Sequence, residues 1–261
     1  PPELREDRGE LGCTATPTLI TSKEIKCDLH CHTNASDGHM SIQELAQQAI
    51  DRGFHTIAVT DHSQSQGQAN GLKPDRLLKH IDAVHEVNEQ TEGITILAGS
   101  EVDILPDGTL DYDDDLLSKL DIVVASPHAA LSQSSEDATK RLLKAIEHPR
   151  VDIIGHPTGR IINKRKGLEP NLPTLIQAAK EHDTALELNA NSYRLDLRDI
   201  QVRAACEGGA RIAINTDAHR PEDFNQLKYG ILTARRGWAM PENCINCLEH
   251  DKLHAWLRRN C

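Results

Sequence analysis

The segment Ile25-Lys-Cys-Asp-Leu-His-Cys31 is a short apolar run with a histidine near its end. Six more runs rich in Val, Ile and Leu follow, and most precede a longer segment whose apolar residues lie three and four apart, as on one face of a helix. The predicted strands are Ile25–Cys31, His55–Thr60, Ile94–Gly99, Asp121–Ser126, Val151–Gly155, Thr184–Asn189 and Arg211–Thr216. The predicted helices are Ser41–Asp51, Pro74–Gln90, Glu136–Glu147, Leu172–Glu181, Leu197–Glu207 and Asp223–Arg235. This alternation predicts an α/β protein, a distorted TIM-like (β/α)7 barrel of parallel strands.

The chain length fits one barrel domain, since 261 residues is close to the roughly 250 residues of such barrels. We predict an irregular N-terminal arm or linker over residues 1–24 and the barrel over residues 25–261. Pro106-Asp-Gly108 lies between short apolar runs and predicts a small hairpin excursion after the third strand. Ser41 with Glu44 predicts a capping box.

Composition predicts a soluble, cytoplasmic protein with no membrane partner. No run approaches the ~18 apolar residues of a membrane helix, and the charged start does not resemble an export signal. Seven irregularly spaced cysteines suit a reducing compartment. Cys244 and Cys247 form a lone CxxC, which without a second pair indicates two incidental thiols on one helical face rather than a zinc site.

Net charge limits how the chain could hold nucleic acid. A formal charge of −11 argues against a broad basic surface, although divalent cations in one pocket would still attract phosphate. Aromatic residues make up 3% of the chain, so any grip on a single strand should be short. The short basic cluster Lys164-Arg-Lys166 is either a solvated run or a contact with a nucleic-acid backbone.

Six of the predicted strands end in potential metal ligands or are followed by them. In chain order they are His30, His32, Asp37, Asp61, His62, Glu101, His128, His156, Asp217 and His219. The C-terminal ends of barrel strands converge on one face, so we expect these side chains in one pocket. His30 and His32 lie two residues apart on a strand and should point to the same side, as a chelating pair requires.

Each ligand alone is more often structural, but their common position at strand ends indicates a metal centre. The other histidines fall away from this face, and we expect solvated or packed roles for His39, His55, His80, His85, His148, His182, His250 and His254. The acidic run Asp111–Asp115 is interpreted as a solvated loop and helix start.

Six motifs surround these ligands: Asp28-Leu-His-Cys-His32 with Ser36-Asp-Gly38, Thr60-Asp-His62, Gly99-Ser-Glu101, Ser126-Pro-His128, Gly155-His-Pro157 and Thr216-Asp-Ala-His219. In them the chain resembles the polymerase and histidinol phosphatase (PHP) domain family over about residues 25–240. Five further segments resemble the C-terminal PHP domain of bacterial family X DNA polymerases: Pro1-Pro-Glu-Leu-Arg5 with Arg8-Gly-Glu10, Glu101-Val-Asp-Ile-Leu105, Gly155-His-Pro-Thr-Gly-Arg160, Leu195-Asp-Leu197 and Ala234-Arg-Arg-Gly-Trp238.

The resemblance implies three divalent metal ions, Mn²⁺ or Zn²⁺, with Fe as a further option. It implies one ion held by His30, His32, Glu101 and Asp217, a second by Glu101, His128 and His156, and a third by Asp37, His62 and His219. Glu101 would bridge, and Glu101, Asp217 and His128 are the expected catalytic residues. Asp61, next to a ligand, is interpreted as a supporting partner, and Cys31 as a packing residue.

Arg160, Arg194 and Asn191 are the candidate substrate-binding residues, because loops that follow barrel strands line the pocket. A solvated surface is the alternative for either arginine. Asn189 and Asn191 alternate at the end of the sixth strand, so one could orient substrate or serve a turn.

The resemblance implies phosphodiester hydrolysis at a DNA 3′ end, as a 3′-to-5′ exonuclease, with a polymerase module in the natural full-length chain. A small-molecule phosphatase, similar to histidinol phosphatase and acting on a small phosphate ester, is the alternative. A noncatalytic module that stabilises a polymerase is a further alternative, which the full ligand set disfavours. An amidohydrolase-like enzyme is disfavoured because no lysine occupies a strand end.

Overall fold

The computed structural model describes residues 17–260, which form a seven-stranded parallel barrel. Each strand pairs in parallel with the next one along the chain. The strands are β1 (Cys27–Asp28), β2 (Thr56–Val59), β3 (Thr95–Asp103), β4 (Ile122–Ser126), β5 (Ile153–Ile154), β6 (Ala185–Asn189) and β7 (Ile212–Asn215). The predicted α/β barrel is thus confirmed. β3 continues four residues past its predicted end, because Gly99–Asp103 pair with β4.

A helix follows every strand. The helices are α1 (Ile42–Ile50), α2 (Pro74–Gln90), α3 (Asp114–Leu117), α4 (Ser135–Ile146), α5 (Leu172–His182), α6 (Asp199–Gly208), α7 (Leu227–Arg236) and α8 (His250–Leu257). The predicted capping box of α1 is present: Glu44 N donates to Ser41 Oγ at 3.2 Å, and Ser41 N to Glu44 Oε2 at 2.8 Å. The predicted helix Asp223–Arg235 is divided into a 3-10 turn, Pro221–Gln226, and α7.

Side chains close the seam between β7 and β1, where the backbone pairing is one isolated bridge between Cys31 and Ala218. Asp28 accepts hydrogen bonds from Thr216, from N at 3.2 Å and from Oγ1 at 2.6 Å. Asn215 Oδ1 accepts from Leu29 N at 3.1 Å. The seam therefore places the segment after β1 directly against the segment after β7.

The barrel interior has an apolar lower layer and a polar upper layer. Small and branched side chains from successive strands fill the lower layer, among them Ala58, Leu97, Val124, Ile153, Ala185 and Ala213. Helix α8 adds Leu253, Trp256 and Leu257 to this layer. It lies at the N-terminal strand ends, where Trp256 Nε1 donates to Asp183 O at 3.2 Å and Arg259 Nη1 to Asp152 Oδ1 at 2.9 Å. The C-terminal end of the barrel is left for the polar layer.

The predicted excursion after β3 is present as a tight turn, in which Leu105 N donates to Thr109 O at 2.8 Å. Residues 17–24 of the predicted arm have no regular structure, and the buried Ile20 donates its N–H to Ala239 O at 3.0 Å. Residues 1–16 of that arm, including the Pro1–Arg5 and Arg8–Glu10 segments, lie outside the described residues. Between residues 17 and 260, no helix has both the length and the apolar character to cross a membrane.

Candidate metal centre

The structure gathers nine predicted ligands into one group at the C-terminal strand ends. We call it the strand-end cluster, and its members are His30, His32, Asp37, His62, Glu101, His128, His156, Asp217 and His219. Most are buried, and so many ionisable groups are seldom buried together.

Glu101 lies at the centre of the cluster, and five imidazoles surround its carboxylate. Its Oε1 is 2.9 Å from His156 Nε2 and 3.3 Å from Nε2 of both His30 and His128. Its Oε2 is 2.8 Å from His62 Nδ1 and 3.6 Å from His32 Nε2. The two oxygens therefore face different sets of histidines, which is the arrangement that a bridging carboxylate needs.

Asp217 and Asp37 extend the cluster on the side of β7. Asp217 Oδ1 lies 3.1 Å from His32 Nε2 and 3.6 Å from His219 Nδ1. Asp37 Oδ1 lies 3.5 Å from His62 Nε2 and 3.4 Å from His219 Nε2. Asp37, at 36% side-chain exposure, forms the outer edge.

Strand register explains why these residues meet. Side chains two apart on a strand share a face, so Glu101 continues the inward series begun by Leu97, and Asp217 continues the series of Ala213. His156 and Asp217 have positive φ values of 25° and 55°, a region that non-glycine residues rarely adopt. Such conformations concentrate at functional sites, where surrounding structure holds them.

Seven buried atoms of the cluster have no hydrogen-bond partner among the residues that the structure describes. They are His30 Nε2, His32 Nδ1 and Nε2, His62 Nδ1, His156 Nδ1, and both carboxylate oxygens of Glu101. Buried polar atoms are nearly always bonded, so this concentration calls for a ligand. Imidazole and carboxylate together suit Zn²⁺, Mn²⁺ or Fe. The residues present therefore fit divalent metal ions.

Burial and mutual attraction shift the pKa values of the cluster. Burial raises the pKa of Glu101, but the histidines around it, His128 foremost, outweigh burial and hold that pKa well below its usual range. Burial lowers the pKa of His128, yet Glu101 raises it to about 10. Burial, followed by the nearby His219, lowers the pKa of His32 to about 4. Glu101 is therefore ionised and His32 neutral at pH 7, as metal ligation requires, while metal binding would release the proton of His128.

The donor atoms fall into three overlapping groups. They are His32, Asp37, His62 and His219; His30, His32 and Asp217; and His62, Glu101 and His128. The ligand sets implied by the resemblance differ from these groups in detail. They do not place His32 with Asp37, His62 and His219, and they place His156 rather than His62 with Glu101 and His128. The assignment of ligands to individual ions stays a prediction.

Two buried carboxylates outside the predicted set orient the histidines. Glu187 Oε1 lies 2.8 Å from His30 Nδ1, and Glu187 Oε2 accepts from His156 N at 2.7 Å. Asp103 Oδ1 pairs with His128 Nδ1. Such partners fix the orientation of a metal-binding imidazole. The sequence signal for Glu187 is that it is the one charged residue of the strand Ala185–Asn189 and lies two residues after the inward-facing Ala185.

Asp61 supports the loop that carries Asp37 rather than joining the nine ligands. It accepts from Thr33 N at 2.9 Å and Thr33 Oγ1 at 2.6 Å, and it pairs with His80 Nε2 at 2.8 Å. His80 thus has a packed role. Asn189 Nδ2 donates to Asp217 Oδ2 at 2.9 Å and holds that carboxylate in place.

The three predicted substrate-binding residues have different surroundings. Arg194 lines the cavity above the cluster, with Nε 3.8 Å from Asp217 Oδ2 and a buried Nη1 that has no hydrogen-bond partner within residues 17–260. Arg160 is not among the residues that line this cavity, because its guanidinium donates to the carbonyls of Arg194 at 2.8 Å and Leu195 at 2.5 Å. Asn191 Oδ1 accepts from Tyr193 N at 3.0 Å, which is a turn contact.

The cavity has a volume of about 380 Å³ and opens to solvent above Glu101. We call it the strand-end cavity. Gln66, Gln68, Ala69 and Arg194 line it together with seven members of the cluster. These members are Asp37, His62, Glu101, His128, His156, Asp217 and His219. Cys244 and Cys247 belong to no potential ligand group in the described part of the chain.

A parallel barrel with histidines and carboxylates at its C-terminal strand ends defines a class of metal-dependent hydrolases. The model of the PHP domain matches residues 28–191. The chain is 45% identical over its full length to the DNA polymerase/3′-5′ exonuclease PolX of Bacillus subtilis and spans 46% of that protein. It is 32% identical to a probable phosphatase of Caldanaerobacter subterraneus, over 88% of this chain and 90% of the relative.

Among solved structures, the histidinol phosphate phosphatase of Lactococcus lactis, complexed with zinc, L-histidinol and phosphate, has a TM-score of 0.58 at 16% identity. The match covers 82% of this chain and 94% of that one, and it shows a shared fold. The chain belongs to the PHP family of phosphoesterases.

Proposed function

We propose that the chain is a metal-dependent phosphoesterase that removes nucleotides from the 3′ end of DNA, as a 3′-to-5′ exonuclease. The strand-end cluster carries the proposal, because nine candidate ligand side chains meet with Glu101 at their centre. Seven of their buried atoms have no hydrogen-bond partner among residues 17–260. The exonuclease assignment is supported by the 45% identity of this chain to the Bacillus protein, whose name includes that activity and of which the chain spans 46%.

Different residues of the chain would hold the metal ions and orient their ligands. His30, His32 and Asp217 would hold one ion, His128 and His156 a second, and Asp37, His62 and His219 a third, with Glu101 shared. Bound divalent ions would supply Lewis acidity toward the phosphate and lower the pKa of water. Glu187 and Asp103 would keep the imidazoles oriented.

Arg194 would bind a non-bridging oxygen of the phosphate. Its buried Nη1 has no hydrogen-bond partner among residues 17–260, and its side chain faces the strand-end cavity. A guanidinium offers paired N–H donors that match a phosphate.

A small-molecule phosphatase is the second candidate. The strand-end cavity, about 380 Å³, is large enough for a small phosphate ester. The Caldanaerobacter relative is named a probable phosphatase, and it matches nearly its whole length to this chain.

One assay separates these candidates. With Mn²⁺ and then Zn²⁺, release of nucleotides from a 3′-labelled single strand is compared with phosphate release from histidinol phosphate and from an aryl phosphate. We expect nucleotide release to dominate. Hydrolysis of the small esters alone would contradict the DNA assignment, and inactivity on all three would contradict a phosphoesterase.

Glu101→Gln tests the centre of the cluster. Loss of one charge should lower both the bound metal per chain and the rate on every substrate, because five histidines face this carboxylate. Glu249→Gln is the matched control, since Glu249 pairs with Lys26 at the opposite end of the barrel. Wild-type metal content in Glu101→Gln would exclude a bridging role.

A further inference from the structure

A second cavity lies beside the strand-end cavity, between the loop after β5 and the start of α6. Its volume is about 760 Å³, twice that of the strand-end cavity. Five basic residues and one acidic residue line it: Arg160, Lys164, Arg165, Lys166, Arg198 and Glu169. We call it the basic groove. The whole chain has 29 basic and 40 acidic residues, so the charge balance is reversed here.

Carboxylates offset the positive charges of the basic groove only in part: the buried Asp196 attracts Arg160 and Arg165, and Glu169 pairs with Lys166. Arg160 Nε and Arg165 Nε donate to neutral carbonyls, of Arg194 at 2.8 Å and of Gly159 at 2.9 Å, which fixes the guanidinium groups without neutralising them. Lys166 pairs with Glu169 at 2.7 Å, but both side chains are mostly exposed, and such pairs contribute little. Lys164 and Arg198 are exposed.

Two loops join the basic groove to the strand-end cavity. Ile162 N donates to Tyr193 O at 2.7 Å, and Arg160 binds the carbonyl of Arg194, whose own side chain lines the strand-end cavity. A bound chain could therefore run from the groove past Tyr193 to the cluster.

Exposed apolar and aromatic side chains accompany the charges. Tyr193 is 66% exposed, and Lys164 Nζ lies 6.0 Å from its ring centroid. Ile162 and Ile200, which line the groove, are 37% and 44% exposed. Sites for single-stranded nucleic acid combine a basic groove with an aromatic ring on which a base stacks. A single aromatic ring beside the groove predicts a binding site that covers few nucleotides.

We propose that the basic groove binds the backbone of a single-stranded nucleic acid whose 3′ end enters the strand-end cavity. The inference rests on the proposed phosphoesterase function and makes its substrate a polymer rather than a small ester. Charge complementarity with phosphates and the position of Tyr193 at the junction support it.

Charge reversal tests the basic groove. Binding of a fluorescent oligothymidylate with hydrolysis-resistant phosphorothioate linkages is measured by anisotropy at several salt concentrations, using the full chain. Lys164→Glu with Arg198→Glu should weaken binding about tenfold or more. The slope of the logarithm of affinity against the logarithm of salt concentration should become shallower by about 1.4, since each lost contact with a single strand removes roughly 0.7 from it. Lys252→Glu with Arg258→Glu makes the same charge change in and next to α8, at the opposite end of the barrel, and should bind as wild type.

Tyr193 gives an independent measurement. Tyr193→Ala should lose about fivefold in affinity, the lower end of a base-stacking contribution, whereas Tyr193→Phe should keep wild-type binding because the ring is retained. Equal binding by Ala and Phe variants would contradict stacking at this position.

The outcomes separate this inference from the proposed function. Hydrolysis of a nitrophenyl ester of thymidine monophosphate by the wild-type chain tests the phosphoesterase, and oligonucleotide binding tests the groove without turnover. If the groove variant and the control variant bind the oligonucleotide equally well, the basic groove is not its binding site, even where the wild-type chain cleaves the ester. Equal affinity for a duplex of the same length would overturn its preference for single strands.

Discussion

Glu187 is a buried carboxylate that touches the cluster without belonging to the predicted ligands. It lies 2.8 Å from His30 Nδ1, accepts from His156 N, and accepts from Asn215 Nδ2 at 2.9 Å. One side chain thus connects the segments after β1 and β5 with β7. Burial lowers the pKa of His30, but Glu187 and the other carboxylates outweigh burial and raise it well above its usual value.

Glu187→Gln keeps the shape of this side chain and removes its charge. We expect metal affinity to fall about ten- to hundredfold, because supporting partners of ligating histidines have effects of that size. Competition with a chelator of known affinity measures the change. Glu181→Gln, which removes an exposed carboxylate on α5 near Gln177, is the matched control. A Glu187→Gln chain that binds metal like the control would show that His30 needs no such partner.

Short strands position the cluster, and their close packing leaves little room for change. Gly155 directly follows β5 and precedes the ligand His156. A Cβ at position 155 would lie 2.2 Å from Ser126 Oγ, 2.9 Å from Val124 Cγ1 and 3.5 Å from His30 Cε1. The absence of a side chain at this position therefore lets the end of β5 lie close to β4, while His30 would be in ordinary contact.

Gly155→Ala should destabilise the fold by about 1–3 kcal/mol, the usual effect of overpacking, because the new Cβ would clash with Ser126 and Val124 of β4. Urea denaturation followed by circular dichroism measures the free energy of unfolding. In Gly67→Ala, the control, a Cβ would have nothing within 4 Å, so its change should stay within about 0.5 kcal/mol. Equal stability of the two variants would mean that β4 and β5 can move apart without cost.

At the scale of the whole molecule, sequence reasoning located the barrel because its strands and helices have strong and different periodicities. It also located the nine residues of the cluster, because each lies near or after the C-terminal end of a strand and barrel strands end on one face. Helix α8 was missed, since eight residues with three buried apolar side chains give a weak local pattern. The side-chain seam through Asp28, Asn215 and Thr216 was missed because its contacts link residues over 180 positions apart.

Loop conformation was the other limit. Arg160 and Arg194 both follow barrel strands, yet one guanidinium turns to backbone carbonyls and the other faces the strand-end cavity. That difference depends on how the loops after β5 and β6 pack on each other, which no local spacing encodes. The basic groove arises from the same packing, because Arg198 reaches it only through the fold.

Metal removal should lower the stability of the entire barrel, because the cluster joins segments from six strands. Without ions, the ionised Glu101 and its neighbours remain buried, and several of their polar atoms have no hydrogen-bond partner among residues 17–260. An ion that binds only the folded chain stabilises it by about 2.7 kcal/mol at a hundred times its Kd. We therefore expect chelation to lower Tm by several degrees and added Mn²⁺ or Zn²⁺ to restore it in a concentration-dependent way. Glu249→Gln should respond as wild type, and Glu101→Gln less strongly. A Tm that stays constant while elemental analysis shows complete loss of metal would mean that the protein scaffold alone holds the cluster together.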